Sequence, residues 1–109
     1  MTTLMAALYF HTLRPQDRVA VKPHASPVLH AVEYLFDRQS QSQMERFRGF
    51  GGMQSYPSRT KDDIRVDFST GSVGLGVAIT AFASLVQDMW LARGEMAPEQ
   101  AGRFISLLG

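Results

Sequence analysis

Apolar and polar positions divide the chain into helix-period stretches, two short strand-like runs and a long segment with no period. From Thr3 to Leu13 the period is helical: Leu4 and Leu8 share a face with His11, and Met5, Tyr9 and Leu13 lie beside them. Thr2 or Thr3 is placed to cap this helix. Arg14-Pro15 ends it, because proline disfavours a helical residue before it. Arg18-Val19-Ala20-Val21-Lys22, with β-branched residues in its middle, predicts a short strand. Ser26 as N-cap and Pro27 at the first helical position predict a second helix through Phe36, packing Val28, Leu29, Val32, Leu35 and Phe36 on one side. Ser42-Gln43-Met44-Glu45 has the spacing of a capping box and predicts a short helix through Phe47.

From Arg48 to Thr70 the period disappears. Phe47, Phe50, Met53, Tyr56 and Phe68 are available to anchor this segment, so an ordered, packed loop is expected. Its basic residues alternate with Asp62, Asp63 and Asp67, as in a solvated, salt-bridged loop. Val73 to Arg93 is apolar nearly all round, which predicts a helix buried on most sides and stopped by Gly94. It is almost long enough to span a bilayer. Gln87, Asp88, the interspersed alanines and the polar glycine loop before it favour the buried helix of a soluble domain. Residues 103–108 read as an interior parallel strand reached through the Pro98–Gly102 connection. A buried strand with no crossover helix after it suggests a chain cut short of a complete fold.

Strand, loop and helix in that order define half of a βαβ unit. The fold class expected is therefore α/β: an incomplete open parallel sheet with helices on both faces, formed by residues 1–109 as one partial domain. In such units the loop after the strand faces the ligand crevice, which puts His24 and Ser26 there.

Composition narrows the class further. In 109 residues the apolar fraction is 45% and the charged fraction 19%, as in folded soluble chains. A net charge of +1 gives no global field for nucleic acid or an anionic membrane. Without cysteine there are no disulfides, thiolate nucleophiles or Cys-based zinc sites, and a reducing, cytoplasmic setting is allowed. The N-terminus lacks the charged start and small-residue cleavage site of a secretory signal.

The chemistry-bearing stretch is Asp67 to Val77, a polar loop with Gly71, Gly74 and Gly76 at the start of the long apolar helix. Its free N–H groups and close-approach glycines suit an anion or cofactor cradle, or equally a tight turn followed by close helix packing. Ile79 stands where a dinucleotide fingerprint needs glycine or alanine, and no Lys-Ser or Lys-Thr follows to make a P-loop. His11 and His30 lie on helices and read as surface or packed residues. His24, at a strand end, could hydrogen-bond a phosphate or a reacting oxygen. No carboxylate or histidine cluster has metal-ligand spacing.

Three blocks together carry a resemblance. Asp17 to Pro27, Phe50-Gly51-Gly52-Met53-Gln54-Ser55-Tyr56-Pro57, and Phe68 to Gly76 resemble, in order, segments of the thiamine-diphosphate-binding N-terminal domain of the transketolase superfamily. The chain looks closest to the decarboxylating dehydrogenase component of homodimeric pyruvate dehydrogenase complexes and its transketolase-like relatives. The resemblance implies thiamine diphosphate as cofactor. It implies that His24 lies near the diphosphate and substrate with Ser26 beside it, and that Gly71, Ser72 and Val73 border the aminopyrimidine. Gln54, Tyr56 and Ser58 would belong to the substrate loop, where Ser58 replaces a family histidine. Relatives bind magnesium through a Gly-Asp motif and a later asparagine, and this sequence ends at the glycine. The implied parent activity is oxidative decarboxylation of a 2-keto acid such as pyruvate by a homodimer, with the chain inactive alone. The alternatives are transketolase-type ketol transfer or a non-enzymatic fragment that binds a partner chain.

Overall fold

A computed structural model describes residues 1–71 and 73–109. Helix α1 (Thr2–Ala7) continues into a π-helical turn over Leu8–Thr12. Met1, not a threonine, precedes α1, and no side chain caps it. Met5 is fully buried while Leu4 is exposed, so the inward face is one position later than the sequence suggests. The wider turn resets the phase, and Leu8, Tyr9 and Leu13 still reach the core edge.

Strand β1 (Arg18–Ala20) and the 3-10 turn Pro23–Ala25 lead into α2 (Ser26–Leu35). Ser26 does not cap the helix. It is the first helical residue and is buried, and Ala25 stands at the cap. The preceding turn makes its own bond, from Ala25 N–H to the Lys22 carbonyl at 2.8 Å, so turn and helix run on continuously. Leu29 and Val32 are buried as expected, but His30 and Glu33 share their side and Leu35 faces solvent. Helix α3 (Gln41–Glu45) begins earlier than its capping-box spacing suggests, because Ser40 Oγ accepts from Gln43 N–H at 3.3 Å.

Helix α4 (Leu75–Ala92) has Gly74 at its N-cap with φ 79°, a left-handed conformation that suits glycine. Gly94, at φ 69°, follows its C-terminus as expected. After the 3-10 turn Pro98–Gln100, β2 (Phe104–Ser106) pairs in parallel with β1, Val19 opposite Ile105. The protein is thus α/β, with a two-stranded parallel sheet and helices on both faces.

Strand alternation sorts those faces by size. Val19, Val21 and Leu107 pack with Met5, Leu29, Ile64 and Val66 in one apolar cluster. Ala20 and Ser106 point the other way, toward α4, where a Cβ on Gly76 would lie 3.5 and 3.3 Å from them. Small residues on both sides let helix and sheet approach closely. The outer edge of β1 is covered by side chains: Val19 N–H donates to Asp67 Oδ2 at 2.9 Å, and Thr70 Oγ1–H to the Val21 carbonyl at 3.1 Å.

Three expectations are corrected. Helix α4 is not buried on most sides; Thr80 is its one buried residue, because its own sheet covers a single narrow face. Among the described residues β2 pairs with β1 alone, so it is not an interior strand. Within the 48–70 segment Met53, Pro57, Ile64 and Val66 provide the anchors, whereas Phe50 is fully exposed and Tyr56 half-exposed. The Asp62 carboxylate shapes this loop by accepting Gln54 N–H at 3.0 Å and Ser58 N–H at 2.8 Å. Its acceptor pair does locally what a regular backbone ladder would do.

Candidate functional site

The three sequence blocks meet around the C-terminal end of β1. The Thr70–Val21 hydrogen bond sets Gly71 beside the strand end that continues into His24. Pro57, at the end of the second block, shares a small void with Val21, Leu29 and Phe68. His30 ties the same block to α2, since its Nε2 lies 3.0 Å from the Gln54 carbonyl. A carbonyl only accepts, so Nε2 carries the hydrogen. Nδ1 faces the Gln39 side-chain amide at 3.0 Å, and Phe47 meets the ring edge-on at 5.8 Å. His30 is therefore a packed, doubly partnered core residue, and His11 is exposed, as their helical placement suggests.

The individual site residues separate by accessibility. His24 is exposed on the 3-10 turn, and Val73 is 90% exposed. Gly71 is half-buried, and a Cβ there would find no atom within 4 Å, so its backbone borders open space. Tyr56 is exposed; Gln54 and Ser58 are half-buried, with their N–H groups held by Asp62 and Ser58 Oγ 3.2 Å from Thr60 Oγ1. Ser26 is buried, with only 2% of its area exposed. Ser72 lies outside the described residues. His24 and Gly71 are brought to one end of the sheet, Gln54, Tyr56 and Ser58 lie on the adjoining loop, and Ser26 is packed beneath. Among the described residues no three His, Cys, Asp or Glu side chains converge as a metal site.

No family model, curated protein or solved structure matches the chain. The α/β class is carried by the sheet and its flanking helices.

The strongest electrostatics lie at the opposite end of β1 and were missed by spacing arguments. The Asp17 carboxylate, whose side chain is wholly covered, accepts from Arg14 N–H, Arg103 N–H and the Arg103 guanidinium at 2.5–3.0 Å. The Arg103 hydrogen bonds hold that carboxyl well below the usual carboxylate range, and the same contact raises Arg103. Nothing local relates two residues 86 positions apart. A cleft of about 350 Å3 opens here, with Tyr9, Glu33 and Arg65 on its walls. Burial pushes the Tyr9 phenol up, and burial also raises the Glu33 carboxyl against the pull of Arg38, 3.5 Å away. Arg14 pairs with Asp17, Arg38 with Glu33 and Arg65 with Asp67, so the cleft offers no surplus charge to a ligand.

A raised folded-state carboxyl opposes folding once pH rises through the ordinary carboxylate range, and costs nothing in acid. Glu33→Gln is therefore expected to raise the urea midpoint at pH 7, with the gain fading toward pH 3. An equal gain at both pH values would show that ionisation of Glu33 is not its source.

Proposed function

We propose that this chain forms the aminopyrimidine-side wall of a thiamine-diphosphate pocket in an enzyme of the transketolase superfamily, nearest in its motifs to the pyruvate-dehydrogenase type. The observation that carries the reading is the Thr70–Val21 bond, which sets the open backbone of Gly71 beside the turn bearing exposed His24. A flat heterocycle read by main-chain groups is the ligand that the resemblance implies for that end. No diphosphate or metal ligand is assigned to these residues, and no activity is expected from the chain alone. The parent family's homodimer, 2-keto acid substrate, magnesium and cytoplasmic setting belong to the same proposal.

Thiamine diphosphate, if held there, would supply a nucleophilic carbon and an electron-accepting ring for decarboxylation of a 2-keto acid. The chain's own residues orient. Gly71 offers backbone without a side chain, and His24 can donate a hydrogen bond or hold a proton at an imidazole nitrogen. Tyr56 and Ser58 sit on a loop whose shape Asp62 sets. Ser26, buried under the turn, lies two positions after His24 in the sequence.

Gly71→Val tests this, because a Cβ placed there would meet no atom within 4 Å. Calorimetric titration with thiamine diphosphate is expected to show weak binding to the wild type, at least tenfold weaker in the variant, with identical thermal melts. Equal binding by both, or none at millimolar cofactor, would refute the pocket. Carbon dioxide release from pyruvate above the variant's level would refute inactivity. A second reading, a partner-binding module without catalysis, is favoured by the outward apolar side of α4 and predicts that His24→Ala and Gly71→Val change nothing measurable.

A further inference from the structure

A second cleft, of about 510 Å3, shares Arg65 and Asp67 with the first, and Arg18, Arg59, Phe68 and Phe104 stand on its other walls. The register of the sheet builds it. Arg18 pairs with Phe104, two positions before Ala20 and Ser106 on their strands. Strand alternation therefore turns both side chains away from the apolar cluster and toward the α4 face. Phe68 meets Phe104 with ring centroids 6.3 Å apart and planes tilted by 47°. A cationic wall and an aromatic wall thus border one opening. His24, Gly71 and Tyr56 are not among its lining residues, so it is separate from the end of the sheet discussed above.

Charge in this cleft is unequal, unlike that in the first. Three guanidiniums line it with one carboxylate, Asp67. Asp67 Oδ1 lies 3.1 Å from Arg65 Nε and 3.8 Å from Arg18 Nε, and Oδ2 is taken by Val19 N–H. The Asp17 carboxylate is occupied by Arg103 and Arg14 and does not offset the excess. The Arg59 guanidinium has no hydrogen bond or ion pair among the described residues; only its main-chain N–H is engaged, by Ser69 Oγ at 2.9 Å.

The two inner guanidiniums are held in place by neutral main-chain oxygens. Arg18 Nη1 donates to the Pro15 and Asp17 carbonyls at 2.9 and 2.8 Å, and Arg65 Nη2 donates to the same Asp17 carbonyl at 2.9 Å. Two like charges are gathered on one oxygen. Arg18 Nη2 and Arg65 Nη1 are left without a hydrogen bond among the described residues. A dianion set between such groups turns their mutual repulsion into attraction, and side chains already ordered lose little freedom on binding.

A phosphate monoester matches both walls. It carries about −1.5 to −2 charge near neutral pH and three acceptor oxygens, which guanidinium forks suit. Inorganic phosphate would leave Phe68 and Phe104 unused, whereas a planar ring on the ester can pack on them. The volume is that of a small-molecule site. A net charge of +1 supplies no wider basic surface for a polyanion.

We propose that this cleft binds a small phosphate monoester bearing a planar ring, with Arg18, Arg59 and Arg65 on the phosphate and Phe68 and Phe104 on the ring. The proposal does not depend on thiamine diphosphate. Its test is a titration of the full chain with adenosine 5′-monophosphate, followed by amide nitrogen–proton NMR and calorimetry. Binding is expected at submillimolar concentration, at least tenfold tighter than that of inorganic phosphate or adenosine. Amide shifts are expected at Arg18, Arg59, Phe68 and Phe104 and not at His24. Arg59→Glu, at an exposed side chain without partners, is expected to weaken binding at least tenfold with an unchanged thermal melt. Gly71→Val is expected to leave it intact, which separates this site from the thiamine-diphosphate reading. No binding at millimolar nucleotide, equal binding by Arg59→Glu, equal affinity for inorganic phosphate, or shifts centred on His24 and Gly71 would each overturn the assignment.

Discussion

Asp17→Ala is expected to lower stability by about 2–3 kcal/mol at neutral pH, through loss of charge-assisted hydrogen bonds and two backbone donors left without acceptors. Asp17 lies just before β1 and binds both the N–H and the guanidinium of Arg103, just before β2. It fixes the parallel register from one end, as the Leu107–Ala20 bond does from the other. Arg103 is half-exposed and stays hydrated without its partner, so Arg103→Ala is expected to do less harm than Asp17→Ala. The pH dependence follows from the direction of the shift. A carboxyl held low in the folded state stabilises fully above its unfolded value near pH ~4, and that stability is lost as pH falls below it. Urea unfolding at fixed protein concentration should therefore show wild type and Asp17→Ala converging between pH 5 and pH 2.5. A gap that stays constant over that range would mean that the carboxylate's charge contributes nothing.

Gly102→Ala is the second large effect, at about 3 kcal/mol. A Cβ on Gly102 would lie 2.1 Å from the Gln16 carbonyl oxygen and 2.9 Å from Asp17 N, both main-chain atoms that cannot swing aside. Relief requires β2 to draw back from the turn before β1, which stretches the Asp17–Arg103 contacts at the same time. The loss should therefore be less than additive with Asp17→Ala, because one displacement damages both. Gly76→Ala is the control: its nearest neighbour, Ser106 Oγ at 3.3 Å, ends a side chain that can rotate, so a loss below about 1 kcal/mol is expected. Chemical denaturation of the three variants and the double mutant decides this. A Gly102→Ala loss no greater than that of Gly76→Ala would contradict the close approach.

Local pattern located most elements. The β-branched run gave β1, and Gly94 ended α4 within two residues of its expected stop. What local pattern could not supply was direction. A helix apolar nearly all round has no polar face to mark solvent, so the outward side of α4 could not be read from polarity. The small residues at Gly76, Thr80 and Ser84 were the available signal, since only they permit such close packing on Ala20 and Ser106. In α2 the inward His30 and Glu33 were hidden because burial of a polar group depends on partners such as Gln39, Gln54 and Arg38, brought in by other segments. The candidate site was legible in its parts and not in its depth. Glycines and a strand-end histidine can be read directly, but the 3-10 turn that buries Ser26 and leaves His24 outside depends on how Pro23 leaves the strand.

The outward apolar side of α4 also sets the optical properties of the chain. Its one tryptophan, Trp90, stands half-exposed there. Intrinsic emission from the indole therefore comes from that side and from nowhere else in the protein. Covering the helix moves the indole from water to hydrocarbon and shifts its emission to the blue, while unfolding the sheet alone leaves its surroundings wet. An ordinary fluorimeter can thus follow the covering of α4 separately from the folding of the chain that carries it.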